Sequence, residues 1–301
     1  MTRKSATLLL SFLLVPVLSH ARVEGHFDRT LAVSGVVHLD LTTGSGDIVI
    51  KAGGANQVVV HGTIHSNSWF SSADNAVHQV ESNPPIQQNG NDIRIGYNLP
   101  EDAKRRLSIS YEVTVPADAT AHAYSGSGNV EVEGVRGEVQ AQTGSGDIRL
   151  RDLGSRVHTQ TGSGGIRAQD VAAPFYAHTG SGDIDAALTG SGDVDVQTGS
   201  GNVQLRGVKG GLRARTGSGN IGADGNVAAS WQLHTGSGNI RLAVGSGGGF
   251  NLNVHTSSGS IHSDLPITVQ GSLGRHELKG SVRGGGPEVE ASSGSGDVEI
   301  R

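Results

Sequence analysis

Along most of the chain, apolar and polar side chains alternate in short runs that glycine cuts off at regular intervals. Val130 and Val132 alternate with Asn129, Glu131 and Glu133; the segment 134–137 breaks the run; Val139, Ala141 and Thr143 then alternate with Gln140 and Gln142. Period-two alternation bounded by glycine predicts half-buried β-strands. Glycine supplies the backbone angles that sharp corners need, and Asn or Asp tolerates them next best. Each unit therefore predicts two strands and two corners.

The units recur. A turn of the form Thr-Gly-Ser-Gly-Asp/Asn-Ile/Val starts at Thr43 and returns with its last residue at Val130, Ile148, Ile166, Ile184, Val194, Val203, Ile221, Ile240, Ile261 and Val298, mostly 18 or 19 residues apart. A unit of this size cannot bury its apolar face alone, so copies must stack. The expected fold is all-β: a single-chain parallel β-helix, or β-solenoid, with about 18-residue rungs and an irregular N-terminal β cap. Rungs about 4.8 Å apart would make nine or ten of them a rod of roughly 40–50 Å. Val194 falls halfway through one step, which puts its turn on the opposite edge of that rung. The final step of 37 residues is read as two rungs, one of them degenerate near Leu278. Residues 297–301 then form an open terminal rung, a template for a partner strand or for end-to-end self-association.

The ends of the chain read differently from its middle. Residues 1–21 have the form of a secretory signal peptide: Arg3 and Lys4, an apolar run from Leu8 to Leu18, and the small-residue site Ser19-His20-Ala21. That run is shorter than the roughly 20 residues a bilayer requires. The expected product is exported to the periplasm, the cell surface or the medium, with no transmembrane segment. Residues 22–115 are read as the cap and irregular early rungs, with a polar loop within 66–105. Residues 116–301 are read as the regular solenoid.

Composition sharpens this picture in three ways. With 47 glycines and only 4 % aromatic residues, the core must be thin and built from Val, Ile, Leu and Ala. Without cysteine, stability rests on hydrogen-bonded strands and packing rather than disulfides. Charge is −5 overall, with 23 basic and 28 acidic residues and no basic cluster, which argues against nucleic acid as a partner.

The run Ile109-Ser110-Tyr111-Glu112-Val113-Thr114-Val115-Pro116-Ala117-Asp118, leading into Ser-Gly-Ser-Gly-Asn-Val and its Gly-Asp-Ile copies, resembles a known group. It is similar to the bacterial putative-adhesin family of exported β-strand repeat proteins, a domain family of unknown function related to auto-transporter adhesin head domains. The resemblance spans about residues 30–301. It implies an exported β-helix with no established catalytic residues, so none is carried over.

Four constellations carry candidate chemistry. The turn column Asn129, Asp147, Gly165, Asp183, Asn202, Asn220, Asn239 could offer oxygens to calcium. No Asp in it stacks on another Asp, however, so a structural corner is the expected role and no metal or cofactor is expected. The acids Asp183, Asp185, Asp193 and Asp195 could serve a polysaccharide lyase or glycosidase as an acid–base group; the competing reading is solvated charge, partly neutralised by Arg167. An outward column, Tyr124, Gln142, Gln160, His178, Gln197, Arg215, His234, His255, offers amides, imidazoles and a guanidinium suited to hydrogen-bonding a polymer. Of these, Gln142, Gln160, His178, Gln197, Arg215 and His234 are the candidate ligand-binding residues. The Thr column (Thr143, Thr161, Thr179, Thr198, Thr216, Thr235) should cap the corner from inside. Nucleophile elbows, catalytic cysteines and phosphate-binding loops are missing from the sequence. The function expected is a non-catalytic scaffold binding an envelope glycan, another surface polymer or a surface protein. The carbohydrate-active enzyme is the alternative.

Overall fold

The computed structural model describes residues 24–66, 72–269 and 274–301. The segment read as a signal peptide lies outside the described residues, as do Trp69 and Phe70. The strands form two long sheets, sheet A with thirteen strands and sheet B with fourteen. Strands that end in the motif's Thr, such as Val139–Thr143, lie in sheet B; strands that begin with its Ile or Val, such as Ile148–Leu153, lie in sheet A. The turn is therefore the corner by which the chain passes from one sheet to the other.

Stacking is parallel and in register. Ile148 pairs with Val130 on one side and Ile166 on the other, and the column continues through Ile184, Val203, Ile221 and Ile240. Every one of these side chains is buried. In sheet B the inward columns hold Val139, Val157, Phe175, Val194 and Leu212, then Ala141, Thr159, Ala177, Val196 and Ala214. Small residues in the second column keep the core as thin as the composition requires. Val194 sits in sheet B between Phe175 and Leu212, so its turn does occupy the opposite edge of the rung.

Both ends depart from simple succession. The strands His38–Ser45 and Ile48–Gly53 form a complete rung that stacks on Thr120–Ser127 and Val130–Glu133. On its other side lie Asp92–Ile95 and Leu107–Pro116, which come later in the chain. Beyond these, Gln57–Ser66 and Glu24–Ala32 add antiparallel strands to sheet A. The expected polar loop within 66–105 is largely folded. It contains helix α1 (Ser72–Ser82), the hairpin Ile86–Asn89 with Asp92–Ile95, and helix α2 (Glu101–Arg106). Helix α1 buries Val77 and Val80, and α2 buries Ala103.

At the other end, the open terminal rung is corrected. Strand Glu288–Ser295 lies between Trp231–Ser237 and Phe250–Ser258, and Val298–Ile300 lies between Ile240–Val244 and Ile261–Ser263. The last rung is thus threaded between two earlier ones, with both edges hydrogen-bonded, and the ground for self-association through it disappears. Leu278 belongs to no parallel rung. Its strand, Glu277–Val282, pairs antiparallel with Phe250–Ser258 and with Ile267–Val269.

Candidate binding face

The repeated turn is accounted for atom by atom as a corner. Each motif Thr is buried and its hydroxyl donates to the carbonyl of the second motif glycine one rung below. Thr143 donates to Gly128 at 2.7 Å, Thr161 to Gly146 at 2.8 Å, Thr179 to Gly164 at 2.8 Å and Thr216 to Gly201 at 2.9 Å. That glycine is required by close approach: a Cβ at Gly164 would lie 1.8 Å from the carbonyl oxygen of Gly146. The Asp or Asn that follows accepts the backbone N–H of its counterpart one rung above. Oδ1 of Asn129 takes the N–H of Asp147 at 3.0 Å, Asp147 that of Gly165 at 3.0 Å, Asn202 that of Asn220 at 3.0 Å and Asn220 that of Asn239 at 2.8 Å. Asp and Asn serve alike because only one acceptor oxygen is needed. One oxygen of each of these Asp and Asn side chains accepts from the backbone, and among the described residues no group of three or more His, Cys, Asp or Glu is placed to hold a metal ion.

The four clustered acids separate in space. Asp185 points outward from sheet A, where Arg206 binds it at 2.6 Å. Asp195 lies on sheet B. Asp183 and Asp193 sit at opposite corners and cap the N–H groups of Asn202 and Gly211 at 2.7 and 3.2 Å. No single cleft gathers these carboxylates. Arg167 neighbours Asp185 in the ladder, but the ion pair forms with Arg206 instead; likewise Arg149 pairs with Asp147 rather than with Glu131.

The two outer faces differ in how they use their polar groups. Sheet A is charged and much of its charge is paired: Lys51 binds Glu112 at 2.9 Å, Arg151 meets Glu133 at 3.6 Å and Arg241 binds Glu299 at 3.1 Å. Such exposed pairs contribute about 0–1 kcal/mol each, so they fix side-chain positions more than they stabilise. Sheet B presents the predicted column. Gln142, Gln160, His178, Gln197, Arg215 and His234 stand in successive register, all outward. None of these six side chains has a hydrogen bond or ion pair to another described residue. The column does not run on directly to His255, because Ser292 of the threaded rung stands between it and His234. That small side chain helps form a shallow groove with Arg215, Gln232, His234 and Glu290.

Sequence reasoning missed a parallel column two residues earlier in each strand: His122, Gln140, His158, Tyr176, Asp195, Arg213, Gln232 and Glu290. The same 18-residue arithmetic identifies it. His158 and Tyr176 touch, with ring centroids 6.3 Å apart. Sheet B thus carries a two-column field of free donors and acceptors, spaced by strand separation across it and by two residues along it. Of the six positions from Gln142 to His234, five are amides or imidazoles and one, Arg215, carries a permanent charge.

The model of the family described as Toastrack DUF4097 matches residues 36–301. Among solved structures, the chain is similar to a putative cell adhesion protein from Clostridium sporogenes, at 12 % identity and a TM-score of 0.23, covering 91 % of this chain and 98 % of that one. It is also similar to a putative adhesin from Bacteroides fragilis, at 12 % identity and TM-score 0.31, covering 92 % and 97 %. A putative adhesin from Parabacteroides distasonis gives 11 % identity and TM-score 0.28, with the same coverage of 92 % and 97 %. No curated protein matches the chain.

Proposed function

The chain belongs to the Toastrack DUF4097 family, and from that premise we propose that it is a non-catalytic, exported, adhesin-like scaffold whose sheet B face binds an extended envelope or surface polymer. One observation carries the reading. Several charged side chains on sheet A pair with each other, whereas none of Gln142, Gln160, His178, Gln197, Arg215 and His234 on sheet B has such a partner among the described residues. Free groups repeated at strand spacing suit a ligand that is itself extended and rich in hydrogen-bonding groups, such as a glycan. Each contact is weak because water competes for it, so affinity depends on many acting together.

The solenoid supplies the rigidity that makes such an array useful. Side chains on rigid strands lose less freedom on binding than side chains on a loop. The corners, by contrast, have their hydrogen bonds committed, and the carboxylates required for hydrolysis are dispersed between two faces. Export follows from the character of residues 1–21, and an envelope polymer is the partner that export makes accessible.

The test is binding of the purified chain to immobilised glycans and cell-wall fragments, alone and with Gln160, His178 and Gln197 all changed to Ala. These side chains are exposed and unbonded, so the triple variant should fold as the parent does. The expected result is a loss of affinity of about tenfold or more, from three contacts of roughly 0.5–1.5 kcal/mol each. Binding that survives the triple substitution would remove sheet B from consideration.

A further inference from the structure

A cleft of about 350 Å³, more enclosed than the groove at Arg215, His234 and Ser292, opens where the cap meets the first rung. Its origin is a missing corner. In a regular rung the sheet B strand runs through the Thr-Gly-Ser-Gly turn into sheet A. The strand Asp92–Ile95 instead stops short: Gly96, at φ +89°, turns the chain out of the sheet, where a Cβ would lie 1.9 Å from the carbonyl oxygen of Thr42. The inward side chains Leu107 and Ile109 across from it, although buried, therefore line the cleft where the corner would otherwise pack.

The wall is apolar, made by Leu99, Leu107 and Ile109, and Tyr97 and Tyr124 form a rim, 45 and 50 % exposed. Most nearby polar groups are already committed. The Thr43 hydroxyl donates to the carbonyl of Ile109 at 2.8 Å, and the Tyr97 hydroxyl donates to Oδ1 of Asp40 at 2.6 Å. Besides the hydroxyls of Thr42 and the rim residue Tyr124, two donors remain. Tyr111 lines the cleft and is only 2 % exposed, yet its hydroxyl has no hydrogen-bond partner among the described residues. Lys104 also lines it, held only by an exposed pair with Glu101 on the same helix, at 2.7 Å.

These groups select a ligand chemistry. A sugar ring would press several hydroxyls against aliphatic walls that cannot satisfy them, which is costly. An apolar body meets the walls without that cost, and a phenol with an ammonium suits a single anionic oxygen group. We propose that this cleft binds a medium-chain monocarboxylate, its chain against Leu99, Leu107 and Ile109 and its carboxylate accepting hydrogen bonds from Lys104 and Tyr111. Burial raises the pKa of the Tyr111 phenol, which keeps it a neutral donor. The site adjoins the outward column at Tyr124, which pairs with Gln142, but includes none of the six candidate polymer-binding residues and does not depend on that reading.

Octanoate is the probe, with octanol as its uncharged counterpart, measured by calorimetry on the full chain. Octanoate should bind with a Kd of about 1 mM or tighter. Lys104→Gln should weaken octanoate about tenfold and leave octanol unchanged. Tyr111→Phe keeps the ring and its edge contact with Phe27, whose centroid lies 6.2 Å away, and should weaken octanoate several-fold. The variant of the sheet B face, with Gln160, His178 and Gln197 changed to Ala, should bind octanoate as the parent does. Absence of octanoate binding to the parent, binding unchanged in both cleft variants, or binding lost in the sheet B variant would each overturn the proposal.

Discussion

At the scale of single residues, one position breaks the logic of its column. Thr159 stands in sheet B between Ala141 and Ala177, facing inward, and is 1 % exposed. Its Oγ1 is shut off from solvent and has no hydrogen-bond partner among the described residues. The motif threonines avoid that cost because each reaches a glycine carbonyl at the corner; Thr159 lies two residues before the corner and does not. An unsatisfied buried hydroxyl costs about 1–3 kcal/mol, whereas valine has the same shape without the polar atom. Thr159→Val should therefore stabilise the protein by about 1 kcal/mol, raising Tm by roughly 2 °C in a chain of this size. A thermal melt showing no gain, or a loss, would mean that the hydroxyl has a bond in solution. The alternation in residues 157–161 makes the inward position of Thr159 legible in the sequence. Its lack of a partner is not, because that depends on which carbonyl lies across the stack.

At the scale of the element, the corner ladder has one gap. Asp and Asn oxygens cap the next rung's N–H along the column, but at Gly165 no side chain exists to cap Asp183. A Cβ at Gly165 would meet its nearest neighbour, the carbonyl oxygen of Asp183, at an ordinary 3.5 Å. Gly165→Asn should complete the ladder and stabilise by about 1 kcal/mol through one added hydrogen bond and a less flexible unfolded chain. An unchanged denaturation midpoint would show that water already serves that N–H equally well. At the threaded end, Asp297 does the same work for Ser260: its Oδ1 accepts the Ser260 backbone N–H and hydroxyl, each at 2.8 Å. These bonds hold its pKa below the ordinary Asp value of 3.8. A folded-state pKa below the unfolded one stabilises above the unfolded value and loses that contribution as pH falls through the folded value. Melting temperature should thus decline on acidification below about pH 4, and Asp297→Asn should flatten part of that decline while leaving stability near pH 7 almost unchanged. Asn239, which caps Asp297 at 2.8 Å, is the precedent within the chain. A pH profile identical in parent and variant would contradict the assignment. The strands, their two faces and the corner roles were all readable from an 18-residue period. Helices α1 and α2 were not: Ser72–Ser82 is polar and short, and only its packing against the cap strands selects a helix.

At the scale of the whole molecule, the sequence period conceals the stacking order. Every rung offers nearly the same edge, so residues 250–263 and 288–300 could each follow 231–244 by motif alone. The order is set by the extra strand Glu277–Val282, which pairs antiparallel with Phe250–Ser258 and so occupies that strand's outer edge. The returning chain is left with the inner edge, between Trp231–Ser237 and Phe250–Ser258. The N-terminal end is built alike, with His38–Ser45 held between Asp92–Ile95 and Thr120–Ser127. This threading alters the physics of a repeat protein. A simple solenoid is close to one-dimensional, and its outer repeats can unravel one at a time. Here the last segment is internal and so is the early rung His38–Gly53, although Glu24–Ala32 remains an edge strand of sheet A; the last segment cannot peel away without parting rungs that lie far from it in sequence. The C-terminal end offers a direct test by amide hydrogen exchange. Residues 250–258 should be protected nearly as strongly as central strands such as Val157–Thr161, and not as a fraying end. Removing residues 288–301 leaves Leu252 and Val254 without their partners Val289 and Ala291, and it should collapse protection in 250–263 while sparing 139–161. Weak protection of 250–258 in the intact protein would show that threading does not secure the end. Unchanged protection after the deletion would show that the antiparallel strand alone secures it.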